Sequence, residues 1–305
     1  MGREAIRPVV AGVDGSRNAP ATVDLAVAEA VRHRAPLRIV HVWPGRYTGV
    51  FKGRSVVPTR ADASRLLEVT ARRAELAAPE LPITTELLEG GAANVLTQCS
   101  HEAELLVVGH RDNPFTRPSW GSTAAYLAHH SACPLLVNRG SAHDGPVVVA
   151  SSARASGSAT MGYAFTEAAL RGSCLVAVHM WARPGGHDGA VPVVRPGGFA
   201  TERAAATERL GEALEGWSGQ FPDVPVEQLL VSDLDLPYTI ERASVRSRLL
   251  VAGIGRTGRF AELLYGSVGP APVGLRSATC PALLVPTGWP VAPGPAQPVG
   301  AAGPR

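Results

Sequence analysis

The chain has 305 residues, 45% of them apolar and 18% charged, with a formal net charge of +3. That is the composition of a folded protein of about two domains, and it excludes a disordered chain. Only Lys52 among the 29 basic residues is a lysine, and the basic residues alternate with 26 acids without forming runs. A strong nucleic-acid footprint is therefore excluded.

The opening residues carry Arg3, Glu4 and Arg7 and read as no signal peptide. Arg7–Val13 is a continuous apolar run, hence a strand covered on both faces. Asn18–Arg34 is a helix, with Ala21, Leu25, Ala28 and Val31 at helical spacing. Leu37–Val42 is the next strand. Thr59–Ala78 is a helix whose buried members are expected to be Leu66, Leu67, Val69 and Leu76. Ile83–Leu88 is a third strand, Ala92–Glu102 a helix and Glu104–Gly109 a fourth strand. A helix from about Gly121 to Ser131 and a strand at Leu135–Asn138 complete the pattern.

The same pattern then returns. Leu37-Arg-Ile-Val-His41-Val-Trp43 matches Leu175-Val-Ala-Val-His179-Met-Trp181 at an offset of 138. Val27-Ala-Glu29-Ala30 matches Phe165-Thr-Glu167-Ala168. Leu105–Gly109 matches Leu249–Gly253, Gly121-Ser122 matches Gly266-Ser267, and the segment around Cys133-Pro134 matches that around Cys280-Pro281. A repeat this long is a duplicated domain. The expected units are 1–141, 145–286 and a disordered Pro/Gly-rich tail, 287–305. Strands separated by helices imply, in each unit, a parallel five-stranded sheet with helices on both faces. Ligands in such sheets bind beyond the strand C-termini, near the switch point.

Several sharp-looking signals lose weight on inspection. Gly253-Ile-Gly255-Arg-Thr-Gly258 satisfies G-x-G-x-x-G, but it follows the fourth strand of its unit and no acid follows Glu262, so it is no dinucleotide fingerprint. There is no P-loop and no G-x-S-x-G elbow. Cys99, Cys133, Cys174 and Cys280 form no C-x-x-C pair and read as reduced thiols. His41 and His179 occupy equivalent strand positions and read as structural, or as cleft wall; Trp43 and Trp181 read as packing residues. His129-His130 ends a helix without a third metal ligand nearby, and Glu202, Arg203, Glu208 and Arg209 read as a solvated helix face. No catalytic residue and no metal ligand are expected. The stronger constellation is a strand ending in Gly109 or Gly253, a loop, and then Gly-Ser opening a helix. The N-terminus of a helix can hold phosphate, and Ser122 or Ser267 would bind it or cap the helix.

Val9-Val-Ala-Gly12-Val13-Asp14-Gly15-Ser16, Val-His41-Val, Leu-Val-Val-Gly109, Gly121-Ser122 and the Cys133-Pro134 segment together resemble the universal stress protein (UspA) family, over Arg7 to about Pro286. The resemblance implies a tandem of Rossmann-like domains of the adenine nucleotide alpha hydrolase-like type. It implies ATP or AMP as cofactor, with magnesium undecided, and pairing of the two domains in the manner of a family homodimer, or self-association of the chain. It places Gly12, Val13, Asp14 and Val40 near adenine and ribose, and Gly109, His110, Arg111, Gly121, Ser122 and Thr123 near the phosphates. Gly253, Gly258, Gly266 and Ser267 are their counterparts in the second copy.

The family's G-x-x-G, nine residues, G-[ST] motif is altered in both copies. In the first, Asp112 replaces the second glycine, the spacer has eight residues, and Pro114 and Pro118 remove amide donors. In the second, Arg256 replaces that glycine, the spacer is intact, and Ser152 and Ala150 stand for Asp14 and Gly12. The expected function is a cytoplasmic, non-enzymatic stress-response regulator that binds adenine nucleotide in its first domain, without nucleic-acid or membrane partners. Two alternatives are a nucleotide-free interaction module and a weak ATP hydrolase using Asp14 or Asp112.

Overall fold

The strands follow from alternation in the apolar runs. The computed structural model describes residues 6–44, 59–110, 121–140, 143–152, 158–181, 198–232, 236–254 and 278–290. Among them the first half of the chain forms β1 (Val9–Val13), α1 (Ala19–His33), β2 (Leu37–Trp43), α2 (Arg60–Ala77), β3 (Ile83–Glu89), α3 (Ala92–Ser100), β4 (Leu105–Gly109), α4 (Gly121–His130) and β5 (Leu135–Asn138). The second half forms β6 (Val147–Ser152), α5 (Ser158–Arg171), β7 (Leu175–Trp181), α6 (Gly198–Gln220), β8 (Val226–Ser232), α7 (Leu236–Ser244), β9 (Leu249–Ile254) and β10 (Ala282–Pro286).

Within each half all strand pairs are parallel, in the order β3-β2-β1-β4-β5 and its counterpart β8-β7-β6-β9-β10. The expectation of two five-stranded parallel sheets needs one correction. β5 and β10 pair antiparallel and fuse the halves into one ten-stranded sheet. Both strands are buried and apolar, so each would otherwise leave a sticky open edge. The register is Ala282↔Val137, Leu283↔Leu136 and Leu284↔Leu135. Leu136 and Leu283 are equivalent residues of the repeat, so a local twofold axis runs between them.

Alternation sorts the strand side chains into two layers. Val9, Ala11, Ile39 and Val107 face α1 and α2, and Val147, Val149 and Val251 face α5 and α6. Val10, Val40, Leu106 and Val148 face α3, α4 and α7. Each layer is continuous across the β5–β10 seam.

The helix faces differ from the sequence reading. In α2 the buried residues are Ala63, Leu67, Thr70 and Ala74, while Val69 and Leu76 are 65% and 68% exposed. In α1 the buried face is Thr22, Val23, Ala26, Val27, Glu29 and Ala30; Ala21, Ala28 and Val31 point outward. α1 packs against α5 as well as against the sheet, so polar residues with partners on α5 lie on its inner side. The segment assigned to the tail begins with structure. Trp289 N–H donates to Pro286 O at 3.2 Å, and its ring packs on both layers under the Arg7 guanidinium. The rest of that segment, 291–305, lies outside the described residues, and no helix among those described is long and apolar enough to cross a membrane.

Candidate functional site

The C-terminal ends of β1, β2 and β4 converge where strand order reverses, and a cavity of about 420 Å³ opens there. That volume falls within the roughly 300–1,000 Å³ of small-molecule sites. Gly12, Val13 and Asp14 line it from β1, Val40, His41 and Trp43 from β2, and Val108 and Gly109 from β4. The turn Gly90-Gly91, the start of α1 and Thr123 of α4 close it.

Each contribution has a local cause. A Cβ on Gly12 would lie 2.9 Å from Leu96 Cδ1 and 3.3 Å from Val108 Cγ1, so only glycine leaves room for the wall behind the strand. Asp14 accepts from Ser16 N–H at 3.0 Å across Gly15, which has φ +71°; the turn carries the chain from β1 into α1. His41 Nδ1 lies 2.7 Å from Val13 O. A carbonyl only accepts, so Nδ1 carries the proton and the ring bolts β2 to β1 at the mouth of the cavity.

The structure brings six of the expected site residues together on one cavity: Gly12, Val13, Asp14, Val40, Gly109 and Thr123. His110 is buried at the exit of β4 and takes part through its main chain, with N–H to Asn138 O at 3.1 Å and O from Asn18 Nδ2 at 2.8 Å. Gly121 and Ser122 open α4. Gly253 ends β9. Arg111, Gly258, Gly266 and Ser267 lie outside the described residues. A Cβ on Gly109 would meet Thr22 Oγ1 at 2.8 Å, so a threonine of α1 lies against this cavity-lining glycine.

The second copy keeps this frame and fills it differently. Ala150 pairs with Val178 and Ala252 just as Gly12 pairs with Val40 and Val108. Thr160 Oγ1 would lie 2.5 Å from a Cβ on Gly253. His179, at the place of His41, is buried with neither ring nitrogen hydrogen-bonded among the described residues. Burial, with Arg209 nearby, holds its pKa below the ordinary value.

Sequence reasoning missed two polar arrangements. One, beneath the cavity, involves Asn18, Thr22 and Asn138. The other lies at the seam. Arg171 Nη2 donates to Glu29 Oε1 at 2.7 Å, its Nη1 pairs with Glu167, His33 Nε2 lies 3.0 Å from Glu167 Oε1, and Arg32 lies 2.8 Å from Glu29. Glu29 and His33 are the counterparts of Glu167 and Arg171 at the offset of 138, so the repeat itself held the signal. Glu29, His33 and Glu167 bring three donor atoms within 4.8 Å of one another. Guanidinium groups from Arg171 and Arg32 already sit on these carboxylates and balance their charge.

The family model described as the Universal stress protein family matches residues 5–139. A universal stress protein of Mycolicibacterium smegmatis is 30% identical over 293 residues, covering 91% of this chain and 96% of that protein. The chain belongs to the universal stress protein family. A second relative, a universal stress protein of Mycobacterium tuberculosis H37Rv, is 30% identical over 286 residues, with 86% and 92% covered. The tandem fold is shared with the crystal structure of a universal stress protein from Archaeoglobus fulgidus, at TM-score 0.64 and 14% identity, with 92% of this chain and 96% of that one covered.

Proposed function

We propose that this universal stress protein binds an adenine nucleotide in the first copy's cavity and acts as a non-enzymatic, nucleotide-responsive regulator in the cytoplasm. The observation that carries this is the convergence of Gly12, Val13, Asp14, Val40, Gly109 and Thr123 on one cavity at the switch point. Apolar walls from Val40, Leu96 and Val108 suit a purine. Among the described residues the ionisable lining groups are Asp14 and His41, and the His41 ring is committed to Val13 O, which supports binding over hydrolysis. Ala150 in place of Gly12, with Ile240 in place of Leu96, narrows the equivalent position in the second copy, so one nucleotide per chain is expected. The second copy then serves as the permanent partner of the first across β5 and β10.

The test is direct. The purified protein is denatured, any released nucleotide is identified by mass spectrometry, and ATP and AMP are titrated calorimetrically. The expected result is one site per chain that Asp14→Ala weakens. No carried nucleotide and no heat at millimolar ligand would overturn the reading, and unchanged affinity in Asp14→Ala would displace the site.

A further inference from the structure

Asn18 stands at the N-cap position of α1, yet its side chain makes no cap bond. An asparagine there ordinarily accepts from the first free N–H groups of the helix. Here Nδ2 donates to His110 O at 2.8 Å, 92 residues along the chain. His110 N–H donates to Asn138 O at 3.1 Å, Asn138 Nδ2 to Thr22 Oγ1 at 3.3 Å, and Thr22 Oγ1 back to Asn18 O at 3.0 Å. The four bonds close a ring in which every member donates in the same sense. A closed ring of this kind restrains the groups it joins.

The ring ties three elements at one point: the start of α1, the exit of β4 and the end of β5. Thr22 and Gly109 are also cavity-lining residues, and Thr22 Oγ1 occupies the space a Cβ of Gly109 would need. The second copy cannot build the ring. Thr160 keeps the place of Thr22, but Val285, paired with Gly253 as Asn138 is with Gly109, has no amide to donate. Ser156, at the place of Asn18 in the sequence, has no side-chain amide and lies outside the described residues.

We infer that Asn18 and Asn138 are positioning residues for the phosphate end of the cavity, an inference that rests on the nucleotide reading above. The ring holds the Gly109–His110 backbone and the start of α1 in fixed relation, and Gly109, Ala19 and Thr22 of these segments line the cavity. Val40 and Trp43 line the cavity from β2, which contributes no member to the ring. Its loss therefore lowers affinity for the phosphates and leaves affinity for the nucleoside.

The experiment titrates ATP and adenosine into the full chain and into three variants. Asn18→Ala and Asn138→Val weaken ATP about three- to tenfold, the loss expected of one hydrogen bond, and adenosine less than twofold. Asn18→Ser keeps a polar side chain at this position but has no amide to donate to His110 O, so the ATP loss persists. Equal losses for ATP and adenosine, unchanged ATP affinity, or recovery of ATP affinity in Asn18→Ser would each overturn the inference. Amide hydrogen exchange at His110 without ligand gives an independent readout: it speeds up in Asn18→Ala if the ring holds the strand exit, and an unchanged rate overturns the ring. An unaltered chain that binds neither ligand defeats the nucleotide reading and the phosphate role together, with His110 exchange still deciding whether the ring restrains β4.

Discussion

Replacing Arg171 by alanine should be the most damaging single change away from the cavity. The Arg171 side chain is 4% exposed and lies between the carboxylates of Glu29 and Glu167, which are 2% and 1% exposed. Its removal leaves both charges in the seam. Arg32 still pairs with Glu29, but Glu167 keeps only the imidazole of His33 at 3.0 Å. Burial holds the His33 pKa below its ordinary value in the intact chain, so it is the guanidinium of Arg171 that supplies the positive charge beside Glu167. Breaking a buried pair by deleting one member costs about 3–5 kcal/mol. With Arg32 remaining, the lower part of that range applies, roughly 3–4 kcal/mol, or about 5–15 °C in melting temperature for a chain of this size. Guanidinium unfolding followed by tryptophan fluorescence measures it well, because Trp217 packs against Phe165 on the same helix as Arg171. Adding Glu167→Gln removes the stranded charge and should recover most of the loss. A cost under about 1 kcal/mol with an unchanged denaturant slope would mean that these carboxylates are hydrated, and the account of the seam would fall.

Three further outcomes are expected. Gly12→Ala, which copies Ala150, drives a methyl to 2.9 Å from Leu96; it should cost about 1–3 kcal/mol and weaken nucleotide binding, and unchanged urea midpoint and affinity would refute the packing account. Because burial lowers the pKa of His33 in the folded chain from its ordinary value, the unfolded chain takes up the proton first as pH falls. The stability tied to His33 is complete above about pH 6.5 and is lost below it, so urea midpoints should fall between pH 7 and pH 5 and fall less in His33→Gln; equal slopes would refute the assignment. Burial pushes the Cys133 and Cys280 thiols up to about 12 and raises that of Cys99, while Cys174 is exposed. A native thiol assay at mild alkaline pH should therefore show one fast-reacting group per chain, absent in Cys174→Ser; a second fast group would show that a buried thiol opens.

Much of the architecture was readable from period and repeat. The strand runs from Val9 and Leu105 are apolar throughout and that from Leu37 is interrupted only by Arg38 and His41, and the elements they predict agree with the observed ones to within about two residues. The cavity residues were readable because strand ends and the glycines after them carry local signals. The face of α1 was not. A stripe count favours Ala21, Leu25, Ala28 and Val31, whereas the helix buries Thr22 and Glu29, whose partners arrive from residues over a hundred positions away. The β5–β10 pairing left no mark either, since an apolar edge strand reads alike whether its neighbour runs parallel or antiparallel. The ring through Asn18 escaped for a related reason: half of its donors and acceptors are main-chain atoms, which every residue carries.

The axis between Leu136 and Leu283 sets the evolutionary terms of the molecule. In a dimer of identical subunits with this register, every substitution near the axis enters twice, and each must tolerate its own image. With both halves on one chain that rule is lifted. Histidine at position 33 now faces a half that carries arginine at the matching site, and asparagine at 138 is matched by valine at 285. No self-paired subunit could hold these combinations, and they are how one side can specialise while the other keeps the scaffold.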